Sequence, residues 1–308
     1  MTSTTVTIGA ARGTLRQARR DYAGMVFAIV MLFSLLFSLG ILMVLIGDQL
    51  VRGLPVIAER GTDLLTSSLS SSPARAGLAQ GLIGTALLCA VVALVAFPIG
   101  ILTAIYLEEY APDNLVAGFI ALNIRNLAGV PSVVYGLLGL AGFVAVFAAL
   151  GVGNGRNVIS GGLTLAVLIL PLVIITSAEA IRAVPQALRD SGFGLGASRW
   201  QVVRQLVLPS AAPGILTGTV LALSRALGET APLILVGAVL GSFSSGGSLA
   251  DVFGGPYAAL PTIVFDWARK PQEEFRALTS AAILVLLAVT ILANTVAIVL
   301  RNRYDRRW

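Results

Sequence analysis

Six long apolar runs, parted by shorter polar stretches, set the pattern of this chain. They cover residues 25–47, 81–107, 127–152, 158–178, 214–240 and 278–300. Each is long enough, as a helix, to cross a hydrocarbon core ~30 Å thick. The first is too long for a signal-peptide core and has no small-residue cleavage site before a mature domain, so it reads as an uncleaved anchor. The prediction is an all-α integral membrane protein with six transmembrane helices. Its parts are an N-terminal segment (1–24), the anchor helix (25–47) with an outer loop after it (48–80), a core (81–300) containing a long polar loop (179–213), and a tail (301–308).

Composition agrees with that pattern. Of 308 residues, 56% are hydrophobic and 12% charged, with a mean hydropathy of +0.90, where a soluble domain is about one quarter charged. Cytosolic globular folds and disorder are excluded. There is no histidine, and the single cysteine, Cys89, lies in an apolar run, so no disulfide framework exists. No metal site or hydrolytic triad can be assembled, and the usual general base is missing. The net charge of +6 follows the positive-inside bias. With the N-terminus inside, thirteen Lys and Arg fall on inner segments and seven on outer ones, Arg225 being the remaining cation. Acidic residues divide evenly between the two sides, so the excess lies on the inner face. Both termini are therefore expected in the cytoplasm, and no nucleic-acid surface is needed to explain the charge.

Among the loops, 66–73 is Ser-rich and 241–250 Gly/Ser-rich; both are read as flexible, solvated connections on the outside. The outer stretch 265–275 mixes aromatics with charges of both signs, for the membrane interface or an outside partner. The inner loop 179–213 is too patterned for a linker. Pro185 fits a first turn, residues 187–194 can form a short helix, and Gly194 and Gly196 interrupt it. Ser198 is a plausible N-cap for a second helix, 199–207, expected to end before Pro209. Trp200, Val203 and Val207 then share one face. The arrangement suits an amphipathic helix resting on lipid headgroups or a docking knob for a cytoplasmic protein.

Arg225 and Glu229 are the only ionisable residues between Gly214 and Leu240. A charge at the centre of a span costs about 2.5–3.5 kcal/mol on insertion scales, whereas a helical pair four residues apart returns only ~0.2–0.5 kcal/mol. The two therefore need a partner, a water-filled cavity or a function. Pro232 cannot donate to the Gly228 carbonyl, which predicts a kink beside them. Gly214 and Gly218 have the spacing that suits close helix packing. Pro98 and Pro171 predict further kinks. Arg125, with Asn123 and Asn126 at the inner mouth of the third span, fits an exit path or an interfacial anchor. Ser132 and Tyr135 flank a kink expected at Pro131 and fit either a channel lining or helix packing.

The inner loop carries a spaced pattern: Asp190-Ser191-Gly192, three residues, Gly196, nine residues, Leu206, one residue, then Leu208-Pro209. This resembles the cytoplasmic loop of ABC importer permeases, which reads Glu-Ala-Ala, three residues, Gly, nine residues, an aliphatic, one residue, Leu-Pro. The opening triplet departs to Asp-Ser-Gly. The stretch from Val130 to Leu140, Val-Pro-Ser-Val-Val-Tyr-Gly-Leu-Leu-Gly-Leu, is similar to the third-span signature of phosphate permeases. Ser224-Arg-Ala-Leu-Gly-Glu-Thr-Ala-Pro-Leu233, Arg269-Lys-Pro-Gln-Glu-Glu-Phe275 and the ending from Leu300 to Trp308 resemble the PstA-type subunit. The resemblance runs from about Gly81 to the C-terminus.

That resemblance implies a type I ABC importer permease fold in a bacterial cytoplasmic (inner) membrane. The implied partners are a second, homologous permease subunit, two cytoplasmic ATPase subunits, and a periplasmic or surface-anchored binding protein delivering inorganic phosphate. ATP with Mg is used by the ATPase partner, and no cofactor is expected on this chain. The residues agree independently, because the only lysine, Lys270, sits before a proline on the predicted outside and cannot serve a P-loop. Asp190, Ser191, Gly192, Gly196, Leu206, Leu208 and Pro209 are the expected ATPase-coupling residues. Arg225, Glu229, Thr230, Ser132 and Arg125 are the expected pathway residues. Arg225 either attracts the phosphate dianion through its guanidinium or bridges to the partner permease as a structural ion pair. A sulfate or molybdate permease shares the loop, and a secondary transporter also places charges at mid-membrane.

Overall fold

The computed structural model describes residues 22–238 and 255–304, which are helices and connections without a strand among the described residues. In chain order these are α1 (Tyr22–Arg60), α2 (Thr62–Thr66), α3 (Ala79–Ile105), α4 (Leu115–Ala128), α5 (Ser132–Gly139), α6 (Ala145–Ala149), α7 (Val158–Arg182), α8 (Gln186–Gly194), α9 (Arg199–Val202), α10 (Leu208–Gly228), α11 (Ala231–Leu235), α12 (Leu260–Ala268) and α13 (Glu273–Tyr304). Wider π-type turns join several without a break: Tyr106–Tyr110 extends α3, Leu140–Val144 joins α5 to α6, and Val203–Val207 joins α9 to α10. Six of the resulting helices are long and apolar enough to cross a membrane.

The chain forms two units, Met1–Val51 and Arg52–Trp308. In the first, side chains from Tyr22 to Leu45 are exposed, as suits a helix whose solvent is lipid. The helix runs on to Arg60, past the expected end at Gly47, so the stretch read as an outer loop begins as helix. The second unit holds the buried core. There Gly53 lies against the backbone of Ser280 and Ala281, leaving no room for a side chain. Arg60 donates through Nη1 to the carbonyls of Ala76 (2.7 Å) and Pro73 (3.2 Å), and the Leu69 N–H is held by Gln80 (3.2 Å). Leu64, Ala76 and Leu78 are fully buried. Segment 66–73 is tied to its neighbours through Pro73 and Leu69, and none of its residues is buried. Segment 241–250 lies outside the described residues, as do the terminal Arg12, Arg16, Arg19, Arg20, Arg306 and Arg307.

In lipid, apolar burial drives helices together weakly, so small residues permitting close van der Waals contact decide the packing. Gly162 of α7 sits on Val91 of α3, and Gly100 of α3 sits on Val173 of α7. Gly214 and Gly218 of α10 meet Ala180 and Thr176 of α7, as their spacing predicted. Pro98 and Pro171 are carried inside continuous helices. The antiparallel α10 and α13 are tied by polar contacts a heptad apart, Ser224 to Asn294 and Arg301 Nη1 to Thr217 Oγ1 (3.1 Å). Tyr257, buried just before α12, has its hydroxyl against Gly161, and burial pushes its phenol well above the ordinary tyrosine range.

Two spans depart from the sequence expectation in the same way. The third is not one helix over 127–152. It is α4, then a break at 129–131, then the helix Ser132–Ala149. The fifth does not run to 240, because α10 ends at Gly228 and a separate short helix, α11, follows. In both places a proline without an N–H follows a glycine, by two residues at Gly129 and Pro131 and by four at Gly228 and Pro232, and removes a rung of the helical ladder. The result is a discontinuity where a kink was expected.

Candidate functional site

The residues at the second break are Arg225, Glu229 and Thr230. Arg225 lies in the last turn of α10. Glu229 has left the helix with an extended backbone (φ −76°, ψ 118°), and Thr230 caps α11, whose second residue is Pro232. The face-sharing argument from helical spacing therefore does not hold, since Glu229 is not helical. The pair nonetheless closes across the helix end, with Arg225 Nε donating to Glu229 Oε1 at 3.3 Å. Its burial is unequal. The arginine side chain is 47% exposed and the glutamate 16%, so the covered carboxylate holds one edge of a guanidinium that otherwise faces outward. Arg225, in the last turn of α10, sits at the negative end of the helix dipole, which favours a cation.

The first break lies beside this site. Gly136 of α5 packs on the backbone of Pro232. Tyr135 and Val130 share a core cluster with Ala226, Leu233 and Val236, and Tyr135 lies close enough to Arg225 to feel its charge. Tyr135 holds the break in shape, its hydroxyl donating to the Leu127 carbonyl at 2.8 Å. That carbonyl belongs to the last turn of α4, where intrahelical partners run out. Ser132 is the first residue of α5, so the free N–H groups that open a helix begin there. The structure thus brings Arg225, Glu229 and Thr230 together and sets the α5 segment beside them.

Arg125 is elsewhere. It stands on α4, a separate helix from the span that it was expected to open. It lines a cavity of about 340 Å³ with Glu108, Asp113, Glu179 and Arg182. Asn123 is turned back on its own helix, donating to the Phe119 carbonyl at 2.7 Å.

The polar loop folds as a hinge of two helices. α8 contains Asp190, Ser191 and Gly192. Asp190 is exposed and accepts from Gln186 at 3.2 Å, while Gly192 is buried against Leu206 and Val202, where a Cβ would lie 2.8–2.9 Å from both. Gly196 has open space around it and φ +81°, so conformation, not room, requires glycine there. The Ala197 N–H returns to the Gly192 carbonyl at 3.1 Å to close the C-terminus of α8. Ser198 is the N-cap that the sequence predicted, exchanging bonds with Gln201. The second helix does not end before Pro209. The π-type turn Val203–Val207 feeds directly into α10, and Leu208 and Pro209 open that helix, where a missing N–H is tolerated. The extra residue in the turn also changes the buried face. Val202, Val203 and Val207 are buried, and Trp200 is 56% exposed. Phe193 and Leu195 are exposed beside it, so the hinge presents an apolar surface.

Sequence reasoning passed over Glu108 and Glu109, which follow the second apolar run. Arg189 of α8 donates to Glu109 Oε1 through Nη2 (2.8 Å) and Nε (3.1 Å), and to the carbonyls of Val184 (2.6 Å) and Ile181 (2.9 Å). Glu109 is buried at 8% exposure and Arg189 is largely covered at 12%, and removing one partner from a fully buried pair costs about 3–5 kcal/mol, an upper bound here. Arg182 grips Glu108 with two nitrogens (2.5 and 3.2 Å), but in a more open setting. A usable signal was present in the chain, since adjacent acids at the end of a span, on the side rich in arginine, need cationic partners.

Comparison with known proteins agrees with this architecture. A family model for the binding-protein-dependent transport system inner membrane component matches residues 96–308. The phosphate transport system permease protein PstA of Xylella fastidiosa (strain 9a5c) is 32% identical over 82% of this chain and 84% of its own length. PstA 1 of Mycobacterium tuberculosis (strain CDC 1551 / Oshkosh) is 33% identical over 75% and 72%. Among solved structures, a chain of a bacterial ABC transporter involved in import of the acidic polysaccharide alginate superposes with a TM-score of 0.60 at 16% identity, covering 95% of this chain and 99% of that one. An inward-facing MetNI methionine ABC transporter gives 0.56 at 16% identity, covering 74% and 96%. The fold is that of type I ABC importer permeases, and the chain belongs to the family of binding-protein-dependent transport system inner membrane components, among the PstA-type phosphate permeases.

Proposed function

We propose that this chain is one of two permease subunits lining the pathway of an ATP-driven inorganic phosphate importer, with both termini in the cytoplasm. The observation that carries this reading is Arg225, a half-exposed guanidinium at the junction of two broken helices, held on one edge by a covered carboxylate. Irregular backbone at membrane depth is tolerated where it is packed in protein or lines a water-filled cavity, and helix ends supply the polar groups that a substrate needs. Phosphate is a tetrahedral oxyanion, and a planar guanidinium meets two of its oxygens with two parallel hydrogen bonds. Glu229 fixes the guanidinium and tempers its pull, so that a dianion can leave as well as arrive. Ser132 and Thr230 supply hydroxyls at the two breaks. Arg125, in its mixed-charge cavity, belongs to the cytoplasmic exit.

Energy comes from outside the chain, from two ATPase subunits that receive α8 and α9. The exposed Phe193, Leu195 and Trp200 give those partners an apolar contact, while Gly192 and Gly196 hold the two helices in a fixed hinge. Closure of the ATPases moves the hinge, and α10, continuous with α9, carries the motion to Arg225. Such a switch requires that the ATPases close more favourably on one permease state than the other. A binding protein delivers phosphate to the opposite face.

The test is phosphate uptake by the assembled transporter carrying Arg225→Lys. The charge stays and the fork is lost, so a charge-assisted hydrogen bond worth about 1.5–3 kcal/mol disappears. Uptake at subsaturating phosphate should fall about ten-fold or more. Unchanged uptake would refute direct recognition by Arg225.

A further inference from the structure

We propose that Glu108 and Glu109 are positioning residues that clamp the end of α7 and the coupling hinge, respectively, to α3, so that one motion of the hinge reaches three spans. This rests on the coupling role given to α8 and α9 above. The chain connects the hinge covalently to α7 on one side and α10 on the other; α3 has no such link. The turn Tyr106–Tyr110 supplies one. Three consecutive residues each take an arginine from a different element: Glu108 holds Arg182 at the end of α7, Glu109 holds Arg189 on α8, and the Tyr110 ring lies 5.2 Å from the Arg199 guanidinium on α9.

Arg189 is the centre of the arrangement. Besides Glu109 it bonds the carbonyls of Ile181 and Val184 at the end of α7, so one guanidinium joins α8, α7 and the extension of α3. With Glu109 buried and Arg189 largely covered, water replaces a lost partner poorly, and the joint transmits a push rather than yielding to it. Local preference does not explain the acids. The C-terminal end of a helix carries partial negative charge and disfavours carboxylates, so Glu108 and Glu109 stand where only their distant arginines make them favourable. The π-type turn, a wider coil that often marks functional positions in helices, aims three successive side chains at three separate arginines.

The experiment compares Glu109→Gln, Arg189→Gln and the conservative Arg189→Lys in the complete transporter, reconstituted with its binding protein. It reads ATP hydrolysed per phosphate imported. A purely structural pair would change how much complex assembles without changing that ratio. The single Gln variants are expected to raise the ratio at least several-fold, and Arg189→Lys, which keeps a cation beside Glu109 and the α7 carbonyls, to raise it less. A normal ratio in assembled single variants would overturn the clamp. Where the single variants do not assemble, Arg182→Gln decides, since that side chain is 59% exposed; a ratio raised about two-fold or more supports the clamp, and an unchanged one overturns it. Gly196→Val, inside the hinge, separates this inference from the reading beneath it. If Gly196→Val uncouples and the clamp variants do not, the clamp alone falls. If none of them uncouples, the coupling role falls and takes the clamp with it.

Discussion

Arg225 gives one edge of its guanidinium to Glu229 and leaves a half-exposed side chain free to meet a ligand. Its position at a helix end removes the problem posed by the sequence, where two charges inside an apolar run had to be stabilised by a weak helical pair. The two glycines of the hinge act by different means, and substitutions separate them. Gly196 is required by its backbone, so Gly196→Ala should cost about 1–2 kcal/mol, and Gly196→Asn less, because asparagine tolerates the left-handed region. Gly192 is required by space, so Gly192→Val should cost about 1–3 kcal/mol through overpacking against Leu206 and Val202. Thermal unfolding of the purified complex measures both. Equal losses for Gly196→Asn and Gly196→Ala would contradict the conformational explanation.

At the scale of elements, the broken third and fifth spans decide what the site can be. Hydropathy marked both spans but could not see the breaks, because Gly129-Val130-Pro131 is apolar and reads as continuation. Both breaks were foreshadowed by their prolines, Pro131 and Pro232, though as kinks within one helix. The exposed Trp200 was misplaced for a related reason: periodicity assumes 3.6 residues per turn, and the π-type turn inserts a residue that no hydrophobic pattern announces. Capping chemistry was legible, since Ser198 and Gln201 are neighbours in sequence. Tyr135 is the residue on which the third-span break depends. Tyr135→Phe removes one of two hydrogen bonds to the Leu127 carbonyl, which keeps the Val130 N–H, a loss of about 0.5–1.5 kcal/mol. Its thermal midpoint should fall, and phosphate uptake with it; an unchanged midpoint would show that the hydroxyl does not hold the break.

For the whole molecule, the number of spans, the long polar loop and its spacing were readable because each is a local property of consecutive residues. The clamp was not. Arg182 and Arg189 lie 74 and 80 residues from their glutamates, and only the fold brings them together. On the proposed coupling role, motion would run from hinge to membrane, with α7 and α10 attached by the chain, α3 by its packing on α7 and the Glu109–Arg189 pair, and α13 following α10 through Ser224–Asn294 and Thr217–Arg301. The central claim is that this assembly imports phosphate with energy from ATP. The most direct measurement is phosphate accumulation in proteoliposomes holding the chain with its co-purifying permease and ATPase, with binding protein outside and ATP enclosed. The expected result is phosphate uptake that stops without ATP and is not competed by sulfate. Uptake that persists on a proton gradient alone, or ATP-driven uptake of sulfate in preference to phosphate, would contradict the account.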